Sequence, residues 1–477
     1  MNSTYLMLLS IITLNCIVDS AFCAENPPAN TMDDFVRVSR SDNRYFEFSD
    51  GTPYIPNGFN LVSAPGMDEV ENIFEIMAQN RVNYCRLWIG QDPLDVEHEK
   101  SGQYDPERAE RSARVIELAH RYGIRLKLCI EYFRDLVPER KTWSDRPWHH
   151  VANGGRYESM AEFLESEEGI EHFKQKLRWF ADRFGNEPAI FGWELWNEMN
   201  AVRGGSSGIW IPWTEIMLAE LQQLFPQNLV MQSLGSFDGD HARSPYRTLC
   251  QLADNDVAQV HRYLDLGAQL EVCHGPMDIL AADAVRELQA FQPGKPILLA
   301  ESGAVEPRHT GAFKLYAKDT EGMILHDVLF APFFAGAAGS GHAWWWRVHI
   351  ERNQIWWQFD RFAEAVKNIN PAEEKFEPLM LEHPRLRIYV LKGEKTVLAW
   401  LRDINNTWKT ELEKGKEPEL LQGQTVDFQK IHQFDTDDLI EVYDPWKNEW
   451  SEAKRENSQV ILPEFRRSIV LKIMKQK

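Results

Sequence analysis

The 477-residue chain lacks the marks of several large functional classes. It contains no CxxC and no HExxH spacing, and its six cysteines are scattered, so neither a metal centre nor another cofactor is expected. Basic residues are outnumbered, with 52 Lys and Arg against 72 Asp and Glu and a formal charge of −20. A surface of that sign repels nucleic acid and anionic membrane, which argues against both as partners and fits a neutral substrate. No internal repeat and no low-complexity tract stands out. The one long apolar run, Tyr5 to Val18, is too short to span a bilayer comfortably and has the length of a signal-peptide core. No Lys or Arg precedes it, the first being Arg37. With Ser20, Ala21 and Ala24 behind it, residues 1–24 read as a cleaved export signal, which makes the protein secreted or periplasmic. Cys85 and Cys129 lie in apolar strand-like runs, as buried thiols do, whereas Cys250 and Cys273 could pair if folding brought them together.

What the chain has in quantity is tryptophan, 17 residues, whose indole faces suit the C–H faces of sugar rings as well as a core. Two apolar runs end abruptly in carboxylates. One is Phe191-Gly192-Trp193-Glu194-Leu195-Trp196-Asn197-Glu198, and the other is Pro296-Ile297-Leu298-Leu299-Ala300-Glu301-Ser302-Gly303. Both read as buried parallel strands that meet water at their C-terminal ends. Two strand-terminal glutamates far apart in sequence point to paired-carboxylate chemistry across the mouth of a barrel. Glu194 alternates away from Asn197 and reads as an internal hydrogen-bonding group.

Along the chain, residues 44–53 read as a hairpin with an Asp50-Gly51 turn that closes a barrel floor. Strand-like stretches then alternate with helical periods. They fall at Tyr54 to Asn60, Val82 to Trp88, Ile124 to Ile130, the Glu198 run, Leu229 to Leu234, Val257 to Tyr263, the Glu301 run and Gly341 to Val348. Eight strands joined by crossovers predict a (β/α)8 barrel. The excursion from Phe133 to Ser166 reads as cleft wall. Beyond about residue 375 short alternating runs such as Leu386 to Leu391 and Thr396 to Leu401 take over, predicting a β-sandwich. The expected organisation is a signal over 1–24, an α/β barrel over 25–374 and a β-sandwich over 375–477.

The Trp-Glu-Leu-Trp-Asn197-Glu198 run and the later Leu-Leu-Ala-Glu301-Ser-Gly resemble the retaining clan A glycoside hydrolases, most of all family 5, the cellulase- and β-mannanase-like enzymes. The likeness covers about residues 44 to 370. It implies that Glu198 ends strand four as acid/base and Glu301 ends strand seven as nucleophile. It also implies that Arg86 orients the nucleophile, that Tyr263 hydrogen-bonds it, and that Asn197 binds the sugar 2-hydroxyl. His261, Asn60 and a platform tryptophan from Trp344-Trp345-Trp346, with Trp345 best placed, complete the implied substrate contacts. By strand alternation Trp345 should face opposite to its two neighbours. Trp193, Trp196, Trp210 and Trp213 fit core or cleft wall equally.

The chemistry agrees with that transfer. Carboxyl groups about 5–5.5 Å apart can protonate a leaving oxygen and form a covalent glycosyl-enzyme. Two like charges at that range repel by roughly 3 kcal/mol at an effective dielectric of about 20, enough to keep one carboxyl, Glu198, protonated. Strand three ends in Glu131-Tyr132, where many family members have a histidine, and the loop after it matches no known subfamily. The expected substrate is therefore a β-linked polysaccharide or oligosaccharide, β-mannan or β-glucan first. The alternatives are an exo-acting β-mannosidase, β-glucosidase or β-galactosidase, and a non-catalytic carbohydrate-binding barrel.

Overall fold

The alternation of strand and helix continues through the first 370 residues of the computed structural model, which describes residues 32–64, 66–435 and 438–475. The export-signal reading of residues 1–24 lies outside the described residues. Three two-residue strands, Arg37–Val38, Phe46–Glu47 and Pro53–Tyr54, form an antiparallel sheet. The turn between the last two places Gly51 at φ +87°, a conformation that costs glycine little. Phe46, Tyr54 and Tyr84 pack their rings 5.1, 5.9 and 5.3 Å from Phe191, so this hairpin caps the N-terminal end of the strand that carries Glu198.

The parallel strands are β1 (Gly58–Val62), β2 (Tyr84–Trp88), β3 (Arg125–Glu131), β4 (Ile190–Trp196) and β5 (Leu229–Met231), paired in chain order, then β6 (Ala258–Leu264) paired with β7 (Ile297–Ala304). They are buried on both faces, which explains their continuous apolar runs. The connecting helices include α1 (Met67–Gln79), α2 (Pro106–Arg121), α3 (Glu167–Phe184), α4 (Ser207–Leu224), α5 (Arg243–Gln251), α6 (Met277–Gln289) and α7 (Met323–Phe334). Helix α2 begins where its sequence says it should. The Asp105 carboxylate accepts from the Glu107 and Arg108 N–H groups, and Pro106 occupies the first helical position.

The expected eighth strand, Gly341 to Val348, is not one. Its residues 342–344 lie between β7 and β1: the His342 N–H donates to Leu299 O, Ser302 N–H to His342 O, and Asn60 N–H to Ala343 O, each at 2.9 Å. After Trp344 the chain turns, and Arg347–Glu351 forms a π-helical turn. The turn lets the adjacent indoles of Trp344 and Trp345 share one side while Trp346 turns inward, which strand alternation forbids.

The C-terminal region is antiparallel. Strands β8 (Glu377–Leu381), β9 (Leu386–Lys392), β10 (Thr396–Asp403), β11 (Thr425–Asp427), β12 (Leu439–Asp444), β13 (Glu449–Glu452), β14 (Lys454–Glu456), β15 (Gln459–Ile461) and β16 (Ser468–Met474) make two sheets. The larger has the order β8-β9-β10-β16-β12-β13 and the smaller β11-β15-β14. Period-two alternation divides the larger sheet cleanly. Ile388, Val390, Ala399, Leu401 and Leu471 share a core with Val426 and Val460 of the smaller sheet, while Tyr389, Leu391, Leu398, Trp400 and Val470 join the main core. Helix α7 lies under that second face, and all of its residues are buried. Ion pairs Arg387–Asp278 (2.5 Å) and Arg402–Asp327 (2.8 Å) tie the two regions together. Cys250 and Cys273 are separate buried free thiols, so the pairing considered from sequence does not form.

Candidate active site

Parallel strands bring their C-terminal ends to one rim, and the polar residues that end the apolar runs meet there. Asn197 extends the β4 ladder by one step, its N–H donating to Glu131 O at 2.7 Å. Glu198 then takes a left-handed conformation, φ +53° and ψ +60°, costly for a residue with a Cβ. The surroundings hold it there. Ser233 Oγ accepts the Glu198 N–H at 3.0 Å, and Arg134 Nη1 donates to Glu198 O at 3.0 Å. In β7 the register with β6 shifts between Leu299 and Glu301, so that Glu301 stands opposite His261. A bulge of this kind re-aims a side chain at a rim.

The two carboxylates come together. One oxygen of Glu198, one of Glu301 and a ring nitrogen of His261 all lie within 4.8 Å of one another. His261 Nδ1 is 3.1 Å from Glu198 Oε1 and 3.4 Å from Glu301 Oε2; carboxylates only accept, so Nδ1 carries the proton. Glu301 also accepts from Tyr263 OH at 2.8 Å and from Arg86 Nη1. Glu198 Oε2 accepts from Arg134 Nη2 at 2.9 Å. Burial works against the charge on Glu198, yet the His261 hydrogen bond and the charges of Arg134 and Arg86 outweigh it and hold the carboxyl at about 2. The direction is opposite to the rise that repulsion from Glu301 alone would give. Each carboxylate has its own arginine, and the repulsion is neutralised.

Beneath the pair is a buried polar layer. Arg86 is fully buried and forks onto Glu194 at 2.6 and 2.9 Å, while also donating to Asn197 Oδ1 at 2.8 Å and Asn60 Oδ1 at 3.3 Å. Glu194 is thus the internal hydrogen-bonding group anticipated above, and Arg86 with Lys127 holds it at about 2 against burial. Asn60 donates to Ala300 O at 2.9 Å and has no exposed surface. Arg86, His261 and Asn60 have no exposed surface: Arg86 holds Glu301, His261 faces both carboxylates, and Asn60 supports Arg86 and the backbone. Their polar atoms serve the carboxylates and the backbone.

The cavity over the carboxylates is about 190 Å³, and Asn197, Tyr263 and Trp345 line it. Trp344 lines it too, against the expectation of opposite faces, because the segment is no strand; Trp346 turns inward and donates to Leu61 O. Arg134, Trp88, Trp143 and His309 complete the wall, and sequence reasoning missed all four. Arg134 and Trp143 belong to the excursion after β3, where no periodicity places a side chain. Trp193, Trp196, Trp210 and Trp213 are buried core residues. Among the described residues three larger clefts, about 400, 510 and 430 Å³, lie beside α2, below β1 and in the C-terminal region, away from the carboxylate pair.

Among the described residues folding assembles two sets of possible metal ligands that no sequence spacing announced, Glu198–His261–Glu301 and Glu97–His149–His172. In each the carboxylates already face cations: Arg134 and Arg86 in the first, and Lys176 at 3.3 Å from Glu97 in the second. A metal ion would have to compete with those charges.

A sequence model of the cellulase family, glycosyl hydrolase family 5, matches residues 49–346. Mannan endo-1,4-beta-mannosidase 3 of Oryza sativa subsp. japonica is 25% identical over 293 residues, 55% of this chain and 61% of the rice protein. The chain thus spans under two thirds of that relative. Among solved structures, a glycoside hydrolase superposes with a TM-score of 0.61 at 13% identity, over 93% of this chain and 97% of its own. The endo-beta-1,4-mannanase of Thermotoga petrophila superposes with 0.52 at 14%, over 88% and 98%.

Proposed function

The chain belongs to glycosyl hydrolase family 5 and is a glycosidase, and from that premise we propose that it is a retaining hydrolase of β-linked polysaccharide, β-1,4-mannan first. The single observation that carries the mechanism is the approach of Glu198 and Glu301 oxygens to within 4.8 Å over one cavity. That spacing favours direct attack through a glycosyl-enzyme, since an inverting pair sits about 6.5–9.5 Å apart to admit a water. Glu301, held by Arg86 and Tyr263, attacks the anomeric carbon. Glu198 protonates the departing oxygen, and once Glu301 has become a neutral ester it serves as base for water. Glu198 gains its proton as the sugar enters, when water leaves and the Arg134 contact at Oε2 yields to the glycosidic oxygen. Asn197, whose Oδ1 is held by Arg86, offers its amide nitrogen to the sugar 2-hydroxyl.

In this reading the parallel strands and segment 342–344 close as a (β/α)8 barrel, with residues 25–374 as catalytic domain and 375–477 as a β-sandwich packed on it. Residues 1–24 direct export to the periplasm or medium, and no helix among the described residues is long and apolar enough to cross a membrane. Mannan is favoured over glucan by the rice relative's activity. An exo-acting β-mannosidase is the second reading, favoured by a cavity small enough for about one ring. The test is turnover of β-mannan, β-glucan and xylan, with product lengths and the anomer first released followed by NMR. Release of the β-anomer with mixed product lengths supports an endo-acting retaining enzyme, single sugars support the exo reading, and an α-anomer overturns retention.

A further inference from the structure

We propose that Trp143 is a sugar platform outside the cleavage position, stacking its indole on the next ring of a bound β-linked chain. The proposal rests on the hydrolase reading above and extends it to a binding position on the loop after β3. Among the described residues Trp143 is the most exposed large hydrophobic side chain, at 63%, and the only aromatic one so exposed. It is also the one that lines the cavity of Glu198 and Glu301. A cavity of about 190 Å³ is below the roughly 300–1,000 Å³ of a site enclosing a drug-sized ligand, so further sugars must lie along its rim.

The indole is held firmly. Its turn is tied by Asp145, whose carboxylate accepts from the Lys141 and Thr142 N–H groups at 2.9 Å and from Thr142 Oγ1 at 2.7 Å. Arg134 N–H donates to Ser144 O, and Arg146 N–H to Asp135 O. Ser144, Asp145 and Arg146 are all buried, so the turn is packed down while its tryptophan is left out. The ring continues a stack: it lies 5.0 Å from Tyr132 at 12° and 6.3 Å from Trp88 at 13°, and the Arg146 guanidinium sits 4.6 Å over Tyr132. Exposure of a fixed indole forgoes most of its burial stabilisation, and the hydrogen bonds of the turn maintain that exposure. The chemistry this surface recognises is the apolar C–H face of a β-linked pyranose, in mannose the face opposite its axial 2-hydroxyl, which leaves the hydroxyl edge in water.

The experiment compares Trp143→Ala and Trp143→Phe in the full chain. Binding of β-1,4-linked manno- and cello-oligosaccharides of two to six units is measured by calorimetry in the Glu301→Ala background. Turnover of an aryl β-mannoside and of the hexasaccharides is measured with Glu301 intact. Trp143→Ala is expected to weaken binding of the longer saccharides and to lower their kcat/KM by about tenfold more than that of the aryl mannoside, and Phe to restore most of the loss. Equal loss at every length, no loss at any length, or no binding by the protein with Trp143 intact overturns the platform. Saccharides that bind in a Trp143-dependent way but are never cleaved overturn only the hydrolase reading.

Discussion

Arg134 Nη2 lies 2.9 Å from Glu198 Oε2, and the same guanidinium donates to the backbone carbonyls of Asn197 and Glu198. One side chain from the loop after β3 thus fixes both the charge of a carboxylate and the left-handed turn that aims it. His261 and Arg86 act from β6 and β2, so Glu198 is gripped from three strands' ends.

Arg134→Gln removes the positive charge that depresses Glu198. The carboxyl then holds its proton to higher pH, and the alkaline limb of kcat, which titrates Glu198 in the substrate complex, is expected to move upward by about one to three pH units. A pH–rate profile on a β-1,4-linked oligosaccharide, whose leaving group needs the proton, checks it, with Arg134→Lys expected to stay near the parent. An unmoved limb in the Gln variant refutes the assignment of Glu198 as acid.

Glu301→Ala is expected to abolish turnover on every substrate, because the ester forms on the Glu301 carboxylate. Glu198→Ala should lower polysaccharide turnover by about 10²–10⁴-fold yet spare aryl glycosides whose leaving groups need no proton. Steady-state kinetics of both variants on both substrates decides; identical losses contradict the division of roles.

His149 lies buried under the excursion, 3.0 Å from Ser101 Oγ and close to Glu97, His172, Lys176 and Arg146. Burial above all pushes its pKa down to about 3, so it is neutral in the folded state. The unfolded chain takes up that proton below about pH 6.5, and folding stability therefore falls as pH drops from about 6.5 toward 3, by up to about 1.4 kcal/mol per unit. His149→Gln should flatten that part of a plot of unfolding temperature against pH. A curve parallel to the parent's excludes His149 as the cause.

Asp278 of α6 is fully buried and holds Arg387 at 2.5 and 2.8 Å and Tyr389 OH at 3.0 Å across the junction with the larger antiparallel sheet. Asp278→Ala leaves a guanidinium without its counter-charge, a loss of about 3–5 kcal/mol. Denaturant unfolding of the variant should show it. A change within about 0.5 kcal/mol means that apolar packing alone fastens the junction.

By itself the sequence determined the strands and their ends. Apolar runs of strand length that stop at Asn197-Glu198 and at Glu301 are local patterns, and burial on both faces of a parallel sheet requires them. The same holds for the helix start at Asp105-Pro106 and for the alternation that splits β9 and β10 between two cores. Only the tertiary structure decided which residues surround the carboxylates. Arg134 stands 64 positions from Glu198 on a loop with no period, and its salt bridge depends on where that loop is tied down. Trp143 is likewise placed by Asp145 and by the rings behind it, and Trp344 joins Trp345 at the cavity because the chain turns where its composition reads as strand. Periodicity reports which face of an element is buried; it carries no record of contacts made between elements, and the electrostatics of this site consists of such contacts.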